Sequence, residues 1–244
     1  MATRTRRRKT PSEVFFKHAK KFVADESRAG LSRVQWTPGL GITATDGHVL
    51  ILWKAQTEPN KPGCTGPDTP LQFYADGGLV DKPLDYPDIE PLMDRYRGKV
   101  EYQFHIPGDA LPEWVEFHKV AVTVAKATDD TFKTIELKTA KDNSQRFSLE
   151  TFKQITAGHV SYRIDHLRVK NDVEPSVPAG FSIRYNAEYM ANILQLIKEM
   201  NGQIFVAGEE TSSVTVKLPT DDSYPIILES LALEALLMPI RRNR

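Results

Sequence analysis

The feature that most constrains the fold of this chain is a recurring pattern in which an amphipathic helix is followed by short strands. A capping-box sequence over 10–13, with proline at the first helical position, predicts a helix over 11–26 that ends before Gly30. Three strands are predicted after it, over 31–36, 41–45 and 48–54. Asp46-Gly47 is typical of a tight hairpin turn and therefore indicates that the last two strands are antiparallel.

The same order recurs twice in the second half of the chain. The second occurrence consists of a strand over 99–106, a helix over 110–125 capped by Asp109, and strands over 132–138, 146–152 and 160–169. The third consists of a strand over 181–185, a helix over 187–200 capped by Asn186 and stopped by Gly202, and strands over 204–207, 213–218 and 233–240. Separated strands with few helices indicate an α+β fold of antiparallel sheets with helices on one face.

Proline-rich sequence separates the first occurrence from the second. Residues 56–70 are predicted to form a loop, and a short strand is predicted over 71–75. The segment 82–92 contains three prolines and is expected to run extended between two domains. A short helix is predicted over 88–97, although Pro91 weakens that pattern.

Composition narrows the classes of function. The 32 Lys and Arg residues are balanced by 32 Asp and Glu residues, so the chain has no net positive charge that could bind nucleic acid as a whole. One face of the protein can still be basic. The single cysteine, Cys64, excludes an intramolecular disulfide and a zinc site built from cysteines. Because the sequence lacks a transmembrane-length apolar run and a signal peptide, we expect a cytoplasmic protein without membrane contact.

The motifs of common enzyme classes are missing from the sequence. It has no glycine-rich phosphate loop, no Gly-x-Ser-x-Gly elbow and no His-Glu-x-x-His helix, and its six histidines are scattered. We therefore expect no catalysis, no cofactor and no metal. Six lysines of the predicted helices lie away from the apolar faces. They would contact DNA phosphates if the helices share one surface, and they are otherwise ordinary solvated side chains. They are Lys17, Lys20, Lys21, Lys119, Lys126 and Lys198.

The strongest local signal is the segment Ala44-Thr45-Asp46-Gly47-His48-Val49-Leu50, which by itself predicts only a hairpin turn. It resembles the Ala-Thr-Asp-Gly-His-x-Leu segment of the bacterial beta sliding clamp, the processivity ring of DNA polymerase. The resemblance continues in order through the helix over 11–26 with Leu31, through Tyr86-Pro87-Asp88, and through the closing segment 236–241. It covers most of the chain, whereas 56–80 and 127–175 match poorly.

The resemblance implies sliding-clamp-like domains and a hydrophobic pocket, at the junction of two of them, that binds short peptides of DNA polymerases and other clamp clients. Val49 departs from the family, which usually has arginine there. Carried over by position, the pocket would be lined by Leu31, Thr45, Gly47, His48 and Leu50, by Pro87 and Leu92 of the linker, and by Leu236, Met238, Pro239 and Ile240, with Arg241 at its rim.

The resemblance also implies how the chain is divided and assembled. We predict a basic tail over 1–9, a first clamp-like domain over 10–97 and a second over 98–244; the first is incomplete if the loop 56–70 replaces its second helix. Three copies would close a six-domain ring around double-stranded DNA with the help of a clamp loader, and the shortened form suggests a phage or mobile element. Two alternatives remain open: a clamp-like adaptor that binds client peptides without encircling DNA, and a DNA-binding regulator that uses the basic arm.

Overall fold

The computed structural model describes residues 9–54, 69–155, 158–204, 213–231 and 233–241. Most of the predicted loop 56–70, including Cys64, therefore lies outside the described residues. Of the predicted basic tail, only Lys9 is described. Within the described ranges the elements are α1 (Pro11–Ala19), β1 (Val34–Thr37), β2 (Gly41–Thr45), β3 (Val49–Trp53), β4 (Leu71–Phe73), α2 (Ile89–Arg97), β5 (Val100–Ile106), α3 (Leu111–Ala127), β6 (Thr134–Ala140), β7 (Asn143–Ile155), β8 (Gly158–Asp165), β9 (Ser182–Asn186), α4 (Ala187–Ile204), β10 (Val214–Pro219), β11 (Ile226–Glu229) and β12 (Leu233–Leu237).

The start of α1 is the capping box that the sequence predicts. The Thr10 hydroxyl accepts a hydrogen bond from the Glu13 amide, and the Glu13 carboxylate accepts one from the Thr10 amide. The helix is shorter than predicted, because it ends at Ala19 instead of residue 26. Asp25 accepts a hydrogen bond from the Ser27 amide and starts a separate 3-10 helix over Glu26–Leu31, so Leu31 precedes β1 instead of opening it.

All strands pair antiparallel in two sheets. The larger has eight strands in the order β4-β1-β2-β3-β12-β11-β10-β5, and the smaller has four in the order β8-β7-β6-β9. In the larger sheet β3 pairs with β12, with Leu50 opposite Leu236. We call this β3–β12 pairing the seam, because it joins the strands that follow α1 to those that follow α4. The sequence pattern missed β11, which lies between β10 and β12.

The region from β5 to β12 forms one unit with an exchange of strands, which we call the C-terminal unit. Strand β5 precedes α3 but pairs with β10, which belongs to the strands after α4. Strand β9 precedes α4 but pairs with β6, which belongs to the strands after α3. Helices α3 and α4 pack against each other and share one hydrophobic core with both sheets. The unit therefore consists of two half-units, each with one helix and a four-stranded sheet.

The region from α1 to β4 repeats a single half-unit, which we call the N-terminal half-unit. Its strand order β4-β1-β2-β3 mirrors the order β5-β10-β11-β12 on the other side of the seam. Helix α1 packs against α4, and α4 against α3, so these three helices lie in the spatial order α1-α4-α3. Three helix-plus-three-strand repeats are thus present in the described chain, as the sequence pattern predicts.

Two further helix boundaries differ from the prediction, the start of α3 and the end of α4. Asp109 does not cap α3; Ala110 is at the cap position, and the Asp109 carboxylate pairs instead with Arg168. Helix α4 begins as predicted, since Asn186 accepts hydrogen bonds from two amides of its first turn at 2.8 and 3.1 Å. It does not stop at Gly202 but runs to Ile204, and the rest of the predicted strand 204–207 lies outside the described residues.

Two apolar clusters pack against the larger sheet, one on each of its faces. The face toward the helices, called here the inner face, belongs to the main core, whereas the outer face carries a smaller cluster beneath α2. None of the described helices combines the length and apolar character that a membrane span needs. Among the described residues, no group of three or more His, Cys, Asp and Glu side chains is arranged to hold a metal ion.

Candidate functional site

The turn between β2 and β3 is built by its own side chains. The Asp46 carboxylate accepts hydrogen bonds from the amides of His48 at 2.8 Å and Val49 at 3.0 Å. The Thr45 hydroxyl accepts one from the Gly47 amide and donates one to the Val49 carbonyl. Gly47 has φ +92°, a conformation that favours glycine. The Thr-Asp-Gly-His sequence therefore makes a rigid turn that leaves the His48 side chain exposed.

Contacts from two other elements fix this turn in place. The Tyr189 hydroxyl of α4 donates a hydrogen bond to the Asp46 carboxylate, and burial together with this bond raises the pKa of Tyr189. Arg28 donates to the Asp46 carbonyl at 2.9 Å. A Cβ placed on Gly47 would lie 3.7 Å from the Leu31 side chain. Leu31 is thus beside the turn, as the resemblance implies, although it comes from a 3-10 helix and not from a strand.

A row of cross-strand neighbours carries the candidate site across the seam. Thr45 lies opposite Leu50, Leu50 opposite Leu236, and Leu236 opposite Ile227, so these side chains share the outer face. Leu50 and Leu236 are each only 4% exposed. They form a covered floor rather than an open wall.

Helix α2 and the residues before it cover that floor. Ile89 and Met93 are buried against Leu50 and Leu236, while Tyr86 and Leu92 pack at the edge of the same cluster. Pro87, between Tyr86 and the helix, is exposed. Both predicted linker residues are therefore near the seam, Leu92 in contact with the cluster and Pro87 at its solvent side.

A buried carboxylate attaches α2 to the seam. Glu234 of β12 is fully buried, and its oxygens accept hydrogen bonds from Arg97 at 3.0 and 2.6 Å, while Lys54 lies 3.2 Å away. Burial alone would raise the pKa of Glu234, but the Arg97 and Lys54 cations hold this pKa below its ordinary value. The sequence patterns do not predict this cluster, although a glutamate inside the apolar run 233–237 is a visible signal for it.

The closing segment begins at the seam and then leaves it. The Met238 amide donates to the His48 carbonyl at 2.9 Å, so half-buried Met238 lies beside the turn. Pro239 is buried. The Ile240 amide donates to the Arg184 carbonyl of β9 at 2.8 Å, and Ile240 lines a separate cavity of about 480 Å³ beside that strand. Ile240 is therefore directed toward β9, away from the row formed by Leu50 and Leu236, and Arg241 after it is exposed.

Helices α1, α4 and α3, called here the helix layer, and the residues directly after α1 carry the candidate DNA-contacting lysines. The pKa of Lys21 is lowered by partial burial and by the nearby charges of Lys17, Lys119 and Lys20, so lysines of α1 and α3 form one cluster. The remaining two predicted lysines, Lys126 and Lys198, are exposed on α3 and α4.

Acidic neighbours reduce the positive charge of this surface. Glu199 of α4 binds Lys17 at 2.7 Å, and Glu116 binds Lys119 at 2.7 Å. His18 is buried beside Glu199, with Nε2 3.2 Å from the carboxylate, and burial lowers the pKa of His18 despite this acidic neighbour. The α1–α4 contact is therefore a polar network, which helical spacing alone did not reveal.

Comparison with solved structures identifies the fold. The DNA polymerase sliding clamp of Bacillus subtilis matches 100% of this chain and 67% of its own, with a TM-score of 0.59 and 14% identity. The DNA polymerase III subunit beta of Borrelia burgdorferi matches 96% and 64%, with a TM-score of 0.62 and 12% identity. The beta clamp of Helicobacter pylori matches 96% and 65%, with a TM-score of 0.62 and 14% identity.

The fold is therefore that of the bacterial DNA polymerase sliding clamps, as the resemblance implies. The chain spans about two thirds of the length of these clamps. No protein-family model and no curated protein matches the sequence.

Proposed function

We propose that this protein is a sliding-clamp-like processivity factor, which tracks duplex DNA with its helix layer and tethers a DNA polymerase through a peptide-binding site at the seam. The proposed activity is binding, without catalysis or a cofactor. Loading onto DNA would require an ATP-driven clamp loader. The fold, which is that of proteins named as DNA polymerase sliding clamps, supports this assignment.

The observation that carries the proposal is the meeting of two distant segments at the seam. The turn with His48 and the segment with Met238 are joined by a main-chain hydrogen bond of 2.9 Å, and Leu50 and Leu236 lie opposite each other beside them. Apolar side chains with a flexible methionine suit the leucine and phenylalanine anchors of a client peptide. Thr45, Gly47 and Leu31 would complete this side of the site, with Leu92 and Pro87 opposite.

A binding measurement tests the peptide site. A fluorescent peptide with leucine and phenylalanine anchors should bind with a micromolar Kd, about 8 kcal/mol, in fluorescence anisotropy. Met238→Asp should abolish binding without unfolding the protein, because Met238 is half-buried. Leu231→Asp is the matched control, since Leu231 is an exposed apolar residue outside the cluster beneath α2. Equal binding by the parent and Met238→Asp would exclude this site.

A salt titration tests the helix layer as the DNA-tracking surface. Replacing Lys17, Lys20 and Lys21 together by glutamine should weaken binding to duplexes of any sequence. It should also reduce the slope of log K against log salt, by about 0.9 for each phosphate that the variant no longer neutralises. Lys217→Gln is the control, because Lys217 lies on β10 and pairs with Glu229. An unchanged slope in the triple variant would remove these lysines from the DNA path, and strong preference for one duplex sequence would favour a DNA-binding regulator.

The alternative of a client-binding adaptor that does not encircle DNA is favoured by one observation. Within the described residues the N-terminal region has a single half-unit, with α1, where the C-terminal unit has two half-units, with α3 and α4. Retention on DNA distinguishes the two functions. A ring should remain on closed circular DNA and leave it after linearisation, whereas an adaptor should bind the client peptide equally well and show no such dependence on DNA ends.

A further inference from the structure

The two flanks of α1 have different surroundings. One flank faces α4 through Lys17, which pairs with Glu199, and Lys21, whose ammonium donates to Asn192 at 3.0 Å. Helix α4, the counterpart of α1 across the seam, is packed on both flanks, by α1 and by α3. Among the described helices, none packs on the second flank of α1 as α3 packs on α4.

That second flank borders a groove of about 820 Å³. Helix α1 contributes Ser12, Glu13, Phe16 and Lys17, of which Lys17 lies between the two flanks. Lys20 follows directly after the helix, and the turn after β4 contributes the segment 74–77. The Phe16 ring forms the floor, since a Cβ on Gly77 would lie 3.3 Å from it. Small residues of the turn leave the groove shallow enough for another helix to approach.

Two large apolar side chains are exposed at this end of the larger sheet. Tyr74 lines the groove and is 43% exposed, and Leu79, which bridges back to Phe73, is 55% exposed. Large apolar side chains exposed beside a groove are typical of an interaction surface.

The groove carries charges of both signs, acidic at Glu13 and Asp76 and basic at Lys17 and Lys20. Glu13 and Lys20 both line the groove and lie seven residues apart, which is about 10 Å along a helix. When two copies of such a helix pack antiparallel about a two-fold axis near Phe16, Glu13 of each copy faces Lys20 of the other. Opposite charges then meet at both ends of the contact.

We propose that the occupant of this groove is a second copy of the chain, with the two α1 helices packed antiparallel, so that the second α1 takes the place that α3 has beside α4. The paired N-terminal half-units then form one unit with two helices and two four-stranded half-sheets, like the C-terminal unit. The pair would contain three such units, because each chain has one complete unit and one half-unit. An isologous contact joins copies in pairs, so this assembly and a ring of three copies exclude each other.

Mass in solution tests the pairing without DNA or client peptide, and so independently of the proposed function. Light scattering across a range of concentrations should show a species of twice 27.5 kDa, or an even multiple of 27.5 kDa. A monomer at all concentrations overturns the proposal and indicates that another segment of the chain, or another protein, covers the groove. A trimer overturns it as well.

Variants test which surface forms the contact. Tyr74→Glu and Lys20→Glu should each raise the dissociation constant of the dimer at least tenfold. Val120→Glu is the matched control and should leave it unchanged, because Val120 is exposed to the same 43% but lies on α3. An unchanged dissociation constant in both groove variants, with the dimer intact, overturns the assignment of this surface.

Mixing complementary variants separates pairing from a general loss of stability. Lys20→Glu and Glu13→Lys each place like charges at both ends of the contact, whereas a mixture of the two restores opposite charges at both ends. Each variant alone should be monomeric, and the mixture should form a heterodimer. If the mixture stays monomeric while each chain is folded by circular dichroism, the antiparallel arrangement is wrong.

Discussion

The two half-sheets that meet at the seam have the same strand order but are filled differently. The N-terminal half-unit is packed with aromatic rings: Phe16 contacts Phe15 and Phe73 edge to face, and Phe15 contacts Trp53. On the other side of the seam α4 itself buries aliphatic and sulfur-containing side chains, Ile193, Leu194, Leu196, Ile197 and Met200, and the aromatic contacts lie farther from the seam, where Phe104 of β5 meets Trp114 and Phe147. In the N-terminal half-unit, large aromatic rings thus fill the core beside the helix. In the C-terminal unit, a second helix helps to fill the corresponding volume.

The difference shows how a repeated strand plan can be closed at a boundary. Helix α4 is enclosed by neighbours on both flanks, whereas α1 depends on Phe16 and the turn at Gly77 to cover its core. The N-terminal half-unit is therefore expected to rely on the seam for its stability more than the C-terminal unit does. Four measurements test whether the two regions differ in this way.

The largest effect is expected when a charge is placed at the seam itself. Leu50→Asp puts a carboxylate at a position that is 4% exposed, opposite Leu236, and should cost more than about 5 kcal/mol of unfolding free energy. Urea unfolding followed by circular dichroism should show one transition at low denaturant. Two transitions, with the C-terminal unit unfolding at the parent concentration, would mean that the two regions are independent across the seam.

The next largest effect concerns the attachment of α2. Arg97→Ala leaves the Glu234 carboxylate buried with only Lys54 nearby, and should cost about 3 kcal/mol. The double variant Arg97→Ala/Glu234→Leu should recover most of the loss, because the uncompensated charge is gone. Denaturant unfolding measures both. A double variant as unstable as the single one would show that α2 acts by packing alone.

Buried histidines provide a pH-dependent comparison. His118 of α3 is fully buried, its Nδ1 is 2.7 Å from the Trp114 carbonyl and its Nε2 3.1 Å from the Tyr185 hydroxyl; burial lowers the pKa of His118 to about 4. The unfolded chain takes up this proton near pH 6.5, so stability is complete above that pH and falls as pH decreases toward 4, by up to about 3 kcal/mol.

The matched variant for this prediction is His118→Gln, which has no charge to gain. Its unfolding free energy should change less than that of the parent between pH 7 and pH 5, in urea titrations at each pH. Equal pH profiles of parent and variant would assign the acid sensitivity elsewhere, for example to His18 at the α1–α4 contact, whose pKa burial also lowers.

The smallest effect concerns the turn that covers Phe16. Gly77 and Gly39 both have positive φ, +94° and +75°, so alanine is strained at either position by about 1–2 kcal/mol. Only Gly77→Ala also brings a Cβ to 3.3 Å from the Phe16 ring, whereas nothing lies within 4 Å at Gly39. Thermal unfolding should therefore show a larger loss for Gly77→Ala. Equal losses would mean that the turn does not pack closely on α1.

Local patterns predicted the repeated elements of this fold well. The capping box of α1, the Asp46-Gly47 turn and the Asn186 cap are confirmed because each depends on groups within a few residues of one another. The helix over 88–97 forms despite Pro91, since proline is tolerated in the first turn of a helix. The predicted ends of α1 and α4 are wrong, because helix termination depends on side chains that compete for backbone groups and on packing beyond the helix.

For the candidate site, the resemblance named segments that are adjacent in the structure, but it did not indicate their exposure. Leu50, Leu236 and Met238 do meet near His48, yet the two leucines lie beneath α2, and Ile240 turns away to β9. Burial depends on what packs from outside, which strand alternation does not record. The seam cluster of Glu234 and Arg97 joins residues 137 positions apart and was missed for the same reason.

The helix-plus-strands repeat, the turn at His48 and the balance of charge can be read from the chain, because they follow from short-range periodicity, turn chemistry and composition. The pairing of β3 with β12, the exchange of β5 and β9 between sheets and the open flank of α1 become visible only in the folded protein. Those features arise from contacts between segments far apart in the chain, where the free energy of burial, and not local preference, selects the partner.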